Sequence, residues 1–156
     1  MVHKMVNEFE IKTLSAQPAL LIRAHTSARE LGKMLVPAFA AIRQYLETLT
    51  EQPAGAPFAA YYNDDMQNLD VGIGVPVARA LPAHDTIQAG EIPAGEYAMC
   101  LYTGPYAHLS EAYRALAQWL EESGRHTTRA AYEIYLDDAA ATPHAELRTR
   151  VMQPLA

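Results

Sequence analysis

Apolar residues recur along this chain at two periods. Between Ser27 and Thr50, Leu31, Leu35, Ala38, Ile42, Tyr45, Leu46 and Leu49 fall at helical spacing and leave Arg43, Gln44 and Glu47 on the opposite face. Pro37 lies inside that pattern and removes a backbone donor, so a kink or a fresh helix start is expected there. His108 to Glu122 repeats the spacing with Leu109, Tyr113, Leu116 and Leu120, and stops at Gly124, which suits a left-handed C-terminal cap. The remaining apolar stretches read as strands. Glu8 to Thr26 carries Phe9, Ile11 and Leu14 and then Ala19 to Ile22, and is expected to form a first strand. Phe58–Tyr62 and the alternating Leu69–Val77 flank a polar turn and predict a hairpin; Glu96–Thr103, Arg129–Leu136 and Leu147–Met152 complete the set.

In order, these elements are two copies of strand, helix, strand, strand, at about 8–79 and 87–154, within one domain spanning 1–156. Tyr62-Asn63-Asp64-Asp65 stands in the first copy where Tyr135-Leu136-Asp137-Asp138 stands in the second, although turn chemistry alone also produces Asp-Asp at such a place. The order implies an α+β fold: an antiparallel sheet with pseudo-two-fold symmetry and helices near residues 30–49 and 107–122 on one side. A groove on the other side, between the halves, is the expected ligand site.

Composition narrows the partners. With 156 residues and a hydrophobic fraction of 50%, the chain can bury the core of one domain. Twelve Lys and Arg against eighteen Asp and Glu give a formal net charge of −6, without a basic run, which argues against direct nucleic-acid binding. The lone Cys100 excludes an internal disulfide, no leader-like segment opens the chain, and no apolar run is long enough to span a bilayer, so a cytoplasmic protein without membrane contact is expected.

Among candidate chemical groups Glu133 stands out, because it interrupts Ala131-Tyr132-Glu133-Ile134-Tyr135-Leu136, a strand otherwise suited to burial. Alternation puts Glu133 and Tyr135 on one face and Tyr132, Ile134 and Leu136 on the other. If the second set packs under the helix, Glu133 and Tyr135 face the groove; otherwise Glu133 is solvated or pairs with Arg148 or Arg150. Gly72 and Gly74 alternate along one strand, leaving either a smooth trough for a ligand or a bend beside Pro76. Nine tyrosines against three phenylalanines suit a wall that is both apolar and hydrogen-bonding, with Tyr62, Tyr97, Tyr102 and Tyr106 as candidates, though Tyr97 and Tyr102 fall on opposite strand faces. Tyr45, Tyr113 and Trp119 read as core packing. The six histidines lack metal-ligand spacing, Cys100 has no activating neighbour, and Ser110 reads as a capping residue. Gly72 and Gly74 lack the following helix that phosphate binding needs. Neither a metal nor a cofactor is expected.

Ile92-Pro93-Ala94-Gly95-Glu96-Tyr97-Ala98, Gly104-Pro105-Tyr106 and Tyr132-Glu133-Ile134-Tyr135-Leu136, followed by Leu147-Arg148-Thr149 and Pro154, resemble the GyrI-like small-molecule-binding family from about Asn7 onward. The resemblance implies a duplicated strand-helix-strand-strand fold, used as the effector sensor of multidrug-responsive activators and in free-standing proteins. It places Glu133 in an aromatic site for small aromatic or cationic molecules. The few residues before Phe9 leave no room for the helix-turn-helix of such activators, so a separate regulator is a candidate partner. Two further functions stand beside binding. Some free-standing relatives hydrolyse cyclopropane-bearing cytotoxins, which here would make Glu133 and Tyr135 catalytic, since an apolar site disfavours the ionised carboxylate and suits it to proton transfer. Another relative inhibits gyrase and protects against toxins, which would make this chain a docking protein.

Overall fold

The computed structural model describes residues 5–156, and in it the stretch expected as one first strand is divided at Ser15 and Ala16. The resulting strands, Val6–Leu14 (β1) and Gln17–Thr26 (β2), pair with different partners. Helix Ala28–Thr48 (α1) follows, capped by Ser27, whose side chain accepts a hydrogen bond from the Glu30 backbone amide at 3.2 Å. It runs through Pro37 as one helix and does not restart there; the proline ring lies on the exposed face, away from packed neighbours. Then come Phe58–Tyr61 (β3), Leu69–Pro76 (β4), Ile87–Ile92 (β5) and Gly95–Thr103 (β6). A short 3-10 turn, Tyr106–His108, leads into Ser110–Glu121 (α2), and Ala131–Tyr135 (β7) and Arg148–Pro154 (β8) close the chain. Gly124 has a φ of +68° just beyond α2, the left-handed stop that a glycine there predicts.

Every strand pairing is antiparallel, and the fold is α+β. The chain forms two compact units, one built from the segment up to Leu14 with Gly95–Ala156, the other from Ser15–Ala94. In the first unit the strand order is β1-β6-β8-β7, and α2 packs on the sheet. In the second it is β3-β4-β2-β5, with α1 against β4 and β2.

Two strands join the unit that their place in the sequence does not suggest. β1, expected within the first repeat, pairs with β6 from Val6↔Tyr102 to Leu14↔Gly95. β5 precedes the second β-α-β-β run but pairs with β2 from Gln17↔Ile92 to Ile22↔Ile87. Among the described residues each is an edge strand with one hydrogen-bonded neighbour. β1 also carries an irregularity between Asn7 and Glu10, where Glu8 takes a φ of 55°. A bulge and charged residues of this kind blunt an edge against pairing with another chain.

In the first unit α2 buries Ala112, Leu116 and Leu120 over Ala98, Cys100 and Tyr102 of β6 and Val151 of β8. Each large apolar side chain buried this way contributes about 1.5–3 kcal/mol. That contact fixes which face of the first sheet lies under a helix.

Candidate functional site

The pairing of β6, β8 and β7 arranges side chains in rows. Cys100, Val151 and Glu133 are successive cross-strand partners, and so are Tyr102, Thr149 and Tyr135. Directly opposite residues share a face, so both rows lie on the face that α2 covers. The condition under which Glu133 and Tyr135 would face a groove on the side away from the helices, namely that Tyr132, Ile134 and Leu136 pack under the helix, is therefore not met: Glu133 and Tyr135 lie on the helix side. Alternation grouped the residues correctly but could not tell which group met the helix.

Glu133 is buried, with 6% of its surface exposed. Its carboxylate accepts a hydrogen bond at each oxygen, from the Tyr113 hydroxyl at 2.5 Å and the Tyr135 hydroxyl at 2.9 Å. Tyr113 comes down from α2, whereas Tyr135 lies two residues along the same strand. Tyr106, on the 3-10 turn, meets Tyr135 edge-on with ring centroids 5.4 Å apart. Burial pushes the Tyr106 phenol up, and the negative charges of Asp137, Asp138 and Glu133 push it further, so it stays protonated and able to donate. The arginines considered as partners of Glu133 go elsewhere. Arg148 makes a two-pronged pair with Asp137, at 3.0 Å from both Nε and Nη2, and Arg150 lies 3.8 Å from Glu8.

The other expected wall residues divide. Tyr97 lies on the opposite face of β6 and packs edge-on against Tyr132 at 6.0 Å. Tyr102 shares the face of Glu133, but it is fully buried and its hydroxyl donates to the Pro105 carbonyl at 2.7 Å, holding the turn that leads to α2. Tyr62 belongs to the second unit, where the Arg23 guanidinium lies over its ring at 4.1 Å and is held by Asp70 at 2.7 Å. Gly72 and Gly74 form no open trough. A Cβ at Gly74 would stand 2.6 Å from Phe58 Cζ and from Leu21 Cδ2, and one at Gly72 would stand 2.8 Å from the Tyr62 hydroxyl. These glycines give room to the chain's own side chains. Tyr113, read as core, was missed; the signal available was a hydroxyl on an otherwise apolar stripe, which needs a partner when the stripe is buried.

Cys100 sits in the row with Glu133, fully buried, and burial pushes its thiol up to about 12. It is a packing residue in the protonated state. Among the described residues no three His, Cys, Asp or Glu side chains gather as metal ligands would, and no helix is long and apolar enough to cross a membrane.

The family model for the GyrI-like small molecule binding domain matches residues 7–156. No match to a curated protein was found. Among solved structures, the C-terminal domain of EcmrR aligns with a TM-score of 0.76 and 23% identity, covering 96% of this chain and 97% of that one. The EcmrR chain in a complex with DNA aligns with a TM-score of 0.81 and 22% identity over 97% of this chain, which spans 57% of its length. A hydrolase encoded by lin2189 from Listeria innocua aligns with a TM-score of 0.68 and 14% identity, covering 96% of this chain and 92% of that one. SAV2435, solved with tetraphenylphosphonium bound, aligns with a TM-score of 0.64 and 10% identity, covering 96% of this chain and 94% of that one. At these identities the likeness is one of fold.

Proposed function

Because the chain belongs to the family of GyrI-like small-molecule-binding domains, we propose that it binds aromatic cations at Glu133, in sensing of such compounds or protection against them. One observation carries this reading: a buried carboxylate with a tyrosine hydroxyl on each oxygen and a third tyrosine ring beside it. The charge of a buried carboxylate is little screened, so a cation brought beside it gains more than it would at the surface. The phenol hydroxyls hold the carboxylate in place, and the ring faces attract the same cations. Lipophilic cations of the kind bound by SAV2435 combine both requirements. The EcmrR complex contains DNA, and a DNA-binding regulator is the partner we propose for reading out occupancy.

Titration calorimetry with tetraphenylphosphonium tests this. Glu133→Gln keeps the shape and removes the charge. It should weaken the cation by about 1–3 kcal/mol and leave a neutral aromatic of the same size nearly unchanged. Equal losses for both ligands would rule out charge recognition.

The pairing of Tyr135 with Glu133 at 2.9 Å favours a second reading, hydrolysis of a strained electrophile. Glu133 would pass a proton to the substrate or take one from water, and Tyr135 would hold the carboxylate in line. In that case Glu133→Gln should lower turnover by about 10²–10⁴-fold and largely keep affinity.

A further inference from the structure

Thr149 is completely buried, and its hydroxyl has no hydrogen-bond partner among the described residues. Among the described residues it is the one buried side-chain oxygen or nitrogen in this state. Buried polar atoms are nearly always paired, and an unpaired one calls for an explanation. A valine would fit the same space on a strand without that cost.

The position of Thr149 suggests what its hydroxyl is for. Thr149 is the direct cross-strand partner of Tyr102 on one side and Tyr135 on the other, on the face that carries Glu133. Both flanking hydroxyls are committed elsewhere, Tyr102 to the Pro105 carbonyl and Tyr135 to the Glu133 carboxylate. Thr149 is therefore a donor and acceptor within the ring-lined row next to the carboxylate, and its neighbours do not use it. Tyr106, half-buried and edge-on to Tyr135, borders this row with a ring that reaches the surface.

We infer that Thr149 is a specificity-determining residue of the Glu133 site, its hydroxyl reserved for a hydrogen-bonding substituent on the bound molecule. The inference rests on the reading of Glu133 as a cation site. It narrows the ligand class from lipophilic cations in general to aromatic cations bearing a hydroxyl, amine or carbonyl group. A site with a buried polar group rejects ligands that leave it unpaired, which is how such a group discriminates.

The test compares tetraphenylphosphonium with its ortho, meta and para monohydroxylated derivatives, on the wild type and on Thr149→Val and Thr149→Ser. At least one hydroxylated isomer should bind the wild type about tenfold more tightly than the parent ion, the value of one net hydrogen bond. Valine should abolish that preference and leave the parent ion within about twofold, and serine should retain it. Without ligand, the valine variant should melt no lower than the wild type, because it deletes an unsatisfied group. A lower melting temperature would mean that the hydroxyl is paired inside the protein, and would overturn the inference without reference to any ligand. Parent-ion binding without a hydroxyl preference would overturn it alone; failure of every phosphonium ion to bind the wild type would overturn the Glu133 reading as well.

Discussion

At Glu133 two phenol hydroxyls donate to the two carboxyl oxygens as water does at a surface, so the buried group is hydrogen-bonded at both. Tyr113 is the more informative of the two to remove, because it joins α2 to the sheet beneath it. Tyr113→Phe keeps the ring and deletes a hydrogen bond to a buried carboxylate. The expected loss is about 1.5–3 kcal/mol of unfolding free energy in a urea titration at neutral pH. An unchanged midpoint would mean that the helix does not depend on this contact. The sequence showed the anomaly of Glu133 in an apolar strand, and the structure buries that side chain between two phenol hydroxyls. The sequence did not show Tyr113, because its spacing among Leu109, Leu116 and Leu120 is that of any core residue, and the hydroxyl finds its use only once helix and strand have met.

At the scale of elements, the hairpin of β3 and β4 depends on glycine for packing. Gly74→Ala would drive a methyl group into Phe58 and Leu21 and to 3.0 Å from the Leu20 carbonyl oxygen, whereas Gly72→Ala meets only the hydroxyl end of the Tyr62 side chain and no backbone atom. Denaturant titration should place the Gly74 variant about 1–3 kcal/mol below the wild type. The Gly72 variant should lose less; the reverse ranking would contradict the packing described. The connection from β7 to β8 is tied by Asp137 and Arg148. The hydrogen bond from the Arg148 side chain holds the Asp137 carboxyl below its ordinary value; desolvation opposes it, and the Arg148 amide and charge add to it. A depressed carboxyl contributes stability that is complete above the unfolded-state value and is lost as pH falls through the folded one. Asp137→Asn should therefore flatten the acid side of the stability profile below about pH 4 and leave its slope near pH 7 as it was. A profile identical to the wild type would count against the pair.

On the scale of the whole molecule, the single tryptophan, Trp119, and the single cysteine, Cys100, both belong to the first unit. Cys100 is buried under α2, and Trp119 stacks on Phe9 at 5.7 Å. With its thiol pushed up to about 12, Cys100 should resist Ellman's reagent in the folded protein. Its reactivity should rise along the same denaturant curve as the change in Trp119 fluorescence; rapid labelling of the native protein would mean that α2 does not seal the sheet. Much of this architecture was legible beforehand. Helical spacing marked α1 and α2, alternation marked the β3–β4 hairpin, and the order of elements implied an antiparallel α+β fold, because all of these are properties of neighbours in sequence. β5 was not legible, since Ile87-Gln88-Ala89-Gly90-Glu91-Ile92 lies at an edge and needs few apolar residues. Nor was the pairing of β1 with β6, the filling of Gly72 and Gly74 by Tyr62 and Phe58, or the face on which Glu133 lies. Each of these is a choice among partners distant in sequence, made by hydrogen bonding between strands and by close packing. Local pattern constrains such choices only to alternatives; it was tertiary structure that put Tyr113, Tyr135 and Glu133 together.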